Sequence, residues 1–121
     1  MRREAMVLGH PRLTFPLKAR LKVQSIGSGA KFAMTTESVR GWEINAEFAT
    51  DGRPGYNPLS LLEIWIEDEV TGSTIYGFAK YLQPIGKSGM TLRIIEIDDE
   101  SQTRLQSMLN RTIDEEMQGA V

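Results

Sequence analysis

Apolar and polar residues alternate along most of this chain, and a period of two predicts β-strands. Residues 17–23, LKARLKV, are apolar at every second position, with basic residues between. Residues 42–48, WEINAEF, and residues 61–67, LLEIWIE, alternate in the same way. Three less regular β candidates are residues 30–36, 73–82 and 89–97. We therefore expect a mainly β-structured chain.

Glycine and proline mark the connections between these runs. Residues 51–58, DGRPGYNP, predict a loop, and residues 27–29, 70–73 and 84–89 predict turns. Many short antiparallel strands at this spacing favour a small barrel or a sandwich.

Only the last segment, residues 99–118, has the period of an α-helix. Asp99 is expected to cap it, with Gln102 three residues later in the capping-box position. The residues that recur at helical spacing are Leu105, Met108, Leu109, Ile113 and Met117. Because such an apolar stripe needs a surface to cover, we expect the helix to pack on the barrel or on a partner protein.

Composition excludes several classes of function. The 121 residues suit one domain over residues 1–121, with residues 1–11 as a flexible lead. The chain has no cysteine and one histidine, His10, which excludes thiolate metal sites and histidine pairs. A net charge of −2 argues against a DNA- or RNA-binding protein. We see neither a membrane-spanning run nor a signal peptide, and we expect a cytoplasmic protein.

The sequence offers little support for an enzyme. Acidic residues cluster at 98–100 and 114–116, on or beside the predicted helix, where the helix dipole favours acids in the first turn. Ser38 has no plausible general base, since His10 is the only histidine. We find no phosphate-binding or dinucleotide-binding glycine motif. We therefore expect a binding protein without a cofactor or metal.

A polar turn interrupts the strand pattern at residues 34–44, MTTESVRGWEI. Thr36, Ser38 and Gly41 have the spacing T-x-S-x-x-G. A hydroxyl and a glycine at a turn can leave backbone N–H groups open to an anion, because glycine permits close approach and positive φ. The same residues can also serve only the turn. Alternation along the strand predicts that Trp42 faces the core.

The order of these features resembles the PilZ domain family. Residues 10–23, HPRLTFPLKARLKV, resemble its arginine-containing lead and first strand. Residues 36–44 resemble its D/N-x-S-x-x-G turn, and residues 89–109, GMTLRIIEIDDESQTRLQSML, resemble its last strand and closing helix. The resemblance covers about residues 8–113. It implies a six-stranded antiparallel β-barrel with a C-terminal α-helix packed on it.

The resemblance also implies binding of cyclic di-GMP, a bacterial second messenger with two guanines and two phosphates. In the family, an R-x-x-x-R lead and the turn motif bind this ligand. Arginine suits it, because the planar guanidinium pairs with phosphate or with a guanine edge. Carried over by position, Arg12 is the second arginine, and Ser38 and Gly41 match the turn motif.

This chain departs from both motifs. Leu8 stands where the first arginine would be, and Thr36 stands in the Asp/Asn position. A threonine hydroxyl cannot accept both guanine N–H groups as a carboxylate does, and an unpaired polar edge in a closed site costs about 1–3 kcal/mol. Arg2 and Arg3 lie further upstream, and Arg40 lies inside the turn, so these three are the candidate replacement cations.

Two functions stay open from the sequence. In the first, the chain is a cyclic di-GMP receptor of weakened affinity, and binding orders residues 1–11 and alters a contact with a protein partner. In the second, the ligand site has been lost, and the chain is an adaptor that acts by constitutive protein contact in pilus or motility regulation. Its contact surface would then be exposed apolar residues on the terminal helix or on the loop over residues 51–60, DGRPGYNPLS.

Overall fold

The computed structural model describes residues 12–48 and 60–119, with side chains described as far as residue 113. Several predictions concern residues outside these ranges and are not addressed by the structure. They are the flexible lead over residues 1–11 with Arg2, Arg3 and Leu8, the loop over residues 51–58, and the side chain of Met117.

Within the described residues, seven strands precede one helix. They are β1 (Thr14–Pro16), β2 (Arg20–Ser25), β3 (Lys31–Arg40), β4 (Glu43–Phe48), β5 (Leu61–Glu67), β6 (Thr74–Ile85), β7 (Gly89–Ile97) and α1 (Asp99–Gly119). All pairings are antiparallel, in the order β1-β3-β2-β5-β6-β7-β4. A further pairing of β3 with β4 closes the six longer strands into a barrel. The predicted six-stranded antiparallel barrel with a C-terminal helix is confirmed.

The alternation in the sequence becomes the alternation of inner and outer faces. On β5, every second residue from Leu62 to Ile66 faces inward and is at most 1% exposed. The inner face begins before β2 does, since Leu17 and Ala19 are also buried. Trp42 packs against this core, as its alternation predicts, although it is only half-buried. Burial of an aliphatic side chain stabilises the fold by about 1.5–3 kcal/mol each, so this core holds the barrel together.

The apolar stripe of α1 covers the barrel's own core. The stripe residues Leu105, Met108 and Leu109 are buried, and Ile113 packs beside them half-buried. Two polar contacts fix the helix in place. Ser101 Oγ accepts a hydrogen bond from the backbone N–H of Tyr76 at 3.1 Å, and Arg111 Nη2 donates to Asp68 Oδ1 at 2.7 Å. The helix is therefore held against β6 and the turn between β5 and β6.

The N-cap of α1 is Asp98, and the prediction of Asp99 was wrong. Asp98 Oδ1 accepts a hydrogen bond from the backbone N–H of Ser101 at 2.7 Å, and Oδ2 accepts one from Ser101 Oγ at 3.2 Å. Ser101, rather than Gln102, thus lies three residues after the cap. The hydrogen bonds from Ser101 lower the pKa of Asp98. Asp99 lies in the first turn, where its charge suits the helix dipole.

Among the described residues, no helix combines the length and the apolar character needed to cross a bilayer.

Candidate ligand-binding site

The first strand brings Arg12 close to the polar turn. Thr14 lies opposite Arg40, and Pro16 lies opposite Ser38 on β3. Arg12 precedes Thr14 by two residues, so the chain enters the fold beside the turn between β3 and β4. A proline is compatible with this strand because, among the strands of the described residues, β1 pairs with β3 alone. Two motifs that are far apart in the sequence therefore lie side by side.

A β-bulge in β3 separates Thr36 from Ser38. Thr36 lies opposite Ala46, and Ser38 lies opposite Asn45, so Glu37 is an extra residue in the ladder. Without the bulge, a spacing of two would place Thr36 and Ser38 on the same face. Instead, Thr36 is fully buried, and Ser38 is half-buried and hydrogen-bonded across the outer face.

The hydroxyl of Thr36 is bonded to the backbone of the segment that joins β1 to β2. It donates to the carbonyl of Leu17 at 2.8 Å and accepts from the N–H of Ala19 at 2.9 Å. It thereby ties this short segment to β3. A ligand contact by Thr36 would require the hydroxyl to leave this network.

A row of neutral polar side chains crosses the outer face next to Ser38. Asn45 Nδ2 donates to Ser38 Oγ at 3.2 Å, and Thr91 Oγ1 donates to Asn45 Oδ1 at 2.9 Å. Sequence analysis missed Asn45 and Thr91. The only available signal was the outward position of Asn45 in the alternation of β4. Many polar residues that merely face solvent occupy such positions, so this signal did not single out Asn45.

The turn between β3 and β4 presents the remaining predicted residues. Gly41 has a φ of +62°, in the left-handed region that glycine adopts readily. Arg40 is exposed at the end of β3, opposite Glu43, and Arg12 is also exposed. Of the predicted residues, Arg12, Ser38, Arg40 and Gly41 therefore lie around one turn, whereas Thr36 is buried beneath it.

Two carboxyl groups lie beside the bulge. The hydrogen bond with Glu47 raises the pKa of Glu37, and burial and the Glu47 charge add to the effect. The pKa of Glu47 is lowered, first by a hydrogen bond from Ser88 Oγ at 2.8 Å and then by its contact with Glu37. Glu37 is thus the member of the pair that takes up a proton first, next to Ser38 in the chain. The described residues contain no group of three or more acidic or histidine side chains arranged to hold a metal ion.

Solved structures share this architecture. The PilZ domain of YcgR from Escherichia coli, with cyclic di-GMP, superposes with a TM-score of 0.69 at 9% identity, over 89% of this chain and 94% of that chain. The fold is of the PilZ type. The Bacillus subtilis inhibitor of motility, MotI/DgrA, matches with a TM-score of 0.66 at 15% identity, over 98% of this chain and 53% of that one. This PilZ-type chain thus spans about half the length of that second protein. No family model and no curated protein matches the sequence.

Proposed function

We propose that this chain is a cyclic di-GMP receptor whose ligand lies on the outer face of β1, β3 and β4. The observation that carries the proposal is the register of β1 on β3, which brings Arg12 close to Ser38, Arg40 and Gly41. The choice of ligand is supported by the PilZ domain with cyclic di-GMP that shares the fold. A further support is that Arg12, Ser38 and Gly41, which match the family's two motifs by position, lie around one turn.

Each residue has a chemical part in this proposal. Arg12 and Arg40 bind phosphate or the guanine edge, because a guanidinium offers parallel N–H donors to either. Ser38 and Asn45 supply a hydroxyl and an amide to a guanine. Gly41 has no Cβ, so a base can approach the turn closely.

The proposal describes a receptor in the bacterial cytoplasm rather than an enzyme. Binding is proposed to order the residues before Arg12 and so to change a surface offered to a protein partner. Affinity is expected to be weak, because Leu8 replaces one arginine of the lead and Thr36 replaces the acidic or amide residue of the turn.

One observation favours a second function, that of an adaptor that does not bind cyclic di-GMP. The hydroxyl of Thr36 is bonded to Leu17 and Ala19 on the inner side of β3. The position that should meet a guanine therefore offers no free polar group, while the barrel and its helix are intact. Such a chain would keep its protein contacts without the ligand.

Titration calorimetry with cyclic di-GMP separates the two functions. The receptor predicts saturable binding to the purified chain and a loss of about tenfold or more in Arg12→Ala, since a charge-assisted hydrogen bond is worth about 1.5–3 kcal/mol. Arg20→Ala is the matched control, because Arg20 is an exposed arginine on β2 that pairs with Glu69. An absence of heat at high ligand concentration would overturn the receptor and leave the adaptor.

A further inference from the structure

A row of charged side chains continues from the proposed site across the barrel. Arg40 lies opposite Glu43, Glu43 lies opposite Arg93, and Arg93 lies opposite Lys80. The row crosses β3, β4, β7 and β6 on the outer face. Neighbouring strands lie about 4.8 Å apart, so the backbone positions of Arg40 and Lys80 are separated by about 14 Å.

The pairing of Arg93 with Lys80 is unusual for a sheet. Like charges directly opposite each other destabilise an antiparallel pair. Neither side chain makes an ion pair within 4.0 Å with another described residue. Glu43 lies opposite Arg93 on the β4 side, and a bound anion can supply a further negative charge on the Lys80 side.

The same two cations line a groove with an apolar floor. The groove has a volume of about 800 Å³, and its apolar lining residues include Trp42, Leu82, Ile95 and Ile97. Shifts in the β6–β7 register leave Leu82 and Ile95 without a cross-strand partner. Bulges of this kind re-aim side chains beside binding sites, and Ile95 is 45% exposed. Glu96 and Gln102 also line the groove, so its polar wall holds one carboxylate and one amide beside the two cations. The two cations and the apolar floor together suit a ligand that carries a phosphate and a flat base.

We propose that the cyclic di-GMP site extends into this groove, where Arg93 and Lys80 supply the phosphate contact that Leu8 cannot. One phosphate lies between the two cations, and one guanine packs on the apolar floor beside Trp42. This inference rests on the proposed function. In this arrangement, Lys80 and Arg93 on the barrel supply part of the positive charge that the N-terminal lead supplies in the family.

The first experiment removes both charges. In calorimetry, the double variant Lys80→Gln/Arg93→Gln should bind cyclic di-GMP at least about tenfold more weakly than the unaltered chain, because two charged contacts to phosphate are lost. The matched control is Arg20→Gln/Lys22→Gln, which removes the same charge from β2, where both residues pair with glutamates. The control should bind within about twofold, since salt screens distant surface charges. Removing the like-charge pair should leave the melting temperature unchanged or higher, so weaker binding would not reflect unfolding.

The second experiment uses tryptophan fluorescence to test whether a guanine of the ligand lies beside Trp42. The chain has two tryptophans, so Trp65→Phe leaves Trp42 as the sole indole. Cyclic di-GMP should change its fluorescence, whereas inorganic phosphate at the same concentration should not. Ligand binding without a fluorescence change would overturn the placement of the base.

The outcomes separate this inference from the proposed function. Equal affinity in the double variant, the control and the unaltered chain would overturn the groove and leave the receptor in place. A failure of the unaltered chain to bind would overturn both. A loss of affinity only in the double variant, with the fluorescence change, would support the extended site.

Discussion

At the scale of single residues, Thr36 occupies a motif position and also has a structural role in the barrel. Its identity and spacing suggested a ligand contact. In the structure its hydroxyl is buried and bonded to the backbone of Leu17 and Ala19, where it satisfies one donor and one acceptor. Because buried backbone groups that lose a partner are costly, this position is constrained by the barrel before any ligand is considered.

We expect Thr36→Val to destabilise the chain by about 1–3 kcal/mol, since valine keeps the shape but leaves the buried N–H of Ala19 without its acceptor. Thr36→Ser should retain most of the stability, because it keeps the hydroxyl. The free energy of unfolding from urea denaturation checks this. Thr35→Val is the control, because Thr35 is exposed on the outer face and should change stability by less than about 0.5 kcal/mol. Equal effects at both positions would refute the structural role of Thr36.

At the scale of elements, one charged pair, Arg111 with Asp68, joins α1 to the turn between β5 and β6. Burial raises the pKa of Asp68, but the hydrogen bonds from Arg111, Thr71 and the N–H of Val70 outweigh it, and the pKa is lowered below the ordinary 3.8. The folded state therefore binds a proton at Asp68 less readily than the unfolded state does. The resulting stability is present above pH 3.8 and is lost as the pH falls through the folded-state pKa.

We therefore expect Asp68→Asn to make the free energy of unfolding less dependent on pH in the acid range than it is in the unaltered chain. Urea denaturation at a series of acid pH values measures this. Asp99→Asn is the control, because Asp99 is an exposed acidic residue in the first turn of the helix. The same pH dependence in Asp68→Asn as in the control would contradict the role of this pair.

The elements also show where prediction from the sequence ends. Alternation predicted the faces of β5 and the stripe of α1, because each follows from one period within a single segment. It could not predict the bulge at Glu37, since an extra residue is defined only against the partner strand. The prediction of the capping residue was wrong for a related reason. Asp98 and Asp99 are both suitable residues, and the contact of Ser101 with β6 selects between them.

At the scale of the whole molecule, the ligand face and the helix share β1. The proposed site uses the outer face of β1, β3 and β4, and α1 contacts β1 as well as β6 and the turn between β5 and β6. The strand pattern predicted a mainly β fold but left a barrel and a sandwich open, and the resemblance to the PilZ family selected the barrel. The row from Arg40 to Lys80 was not predictable, since its members come together only through the register of four strands.

The charge distribution around the site predicts how ligand affinity depends on pH. Glu37 has a raised pKa because of its hydrogen bond with Glu47, so it gains a proton at a higher pH than an ordinary glutamate with a pKa of 4.5. Protonation removes a negative charge next to Ser38, and an anionic ligand is then repelled less. The affinity for cyclic di-GMP should therefore rise as the pH falls from neutrality through the pKa of Glu37. Calorimetry at several pH values measures the trend.

Glu37→Gln supplies the decisive comparison, because it removes the charge without changing the size of the side chain. The variant should bind more tightly than the unaltered chain at neutral pH, and its affinity should depend less on pH. Glu100→Gln is the control, since Glu100 is an exposed glutamate on α1 that pairs with Arg104. Equal affinity of the Glu37→Gln and Glu100→Gln variants for cyclic di-GMP at every pH would mean that the ligand does not lie near the bulge. The ligand would then lie further along the outer face, towards β6 and β7.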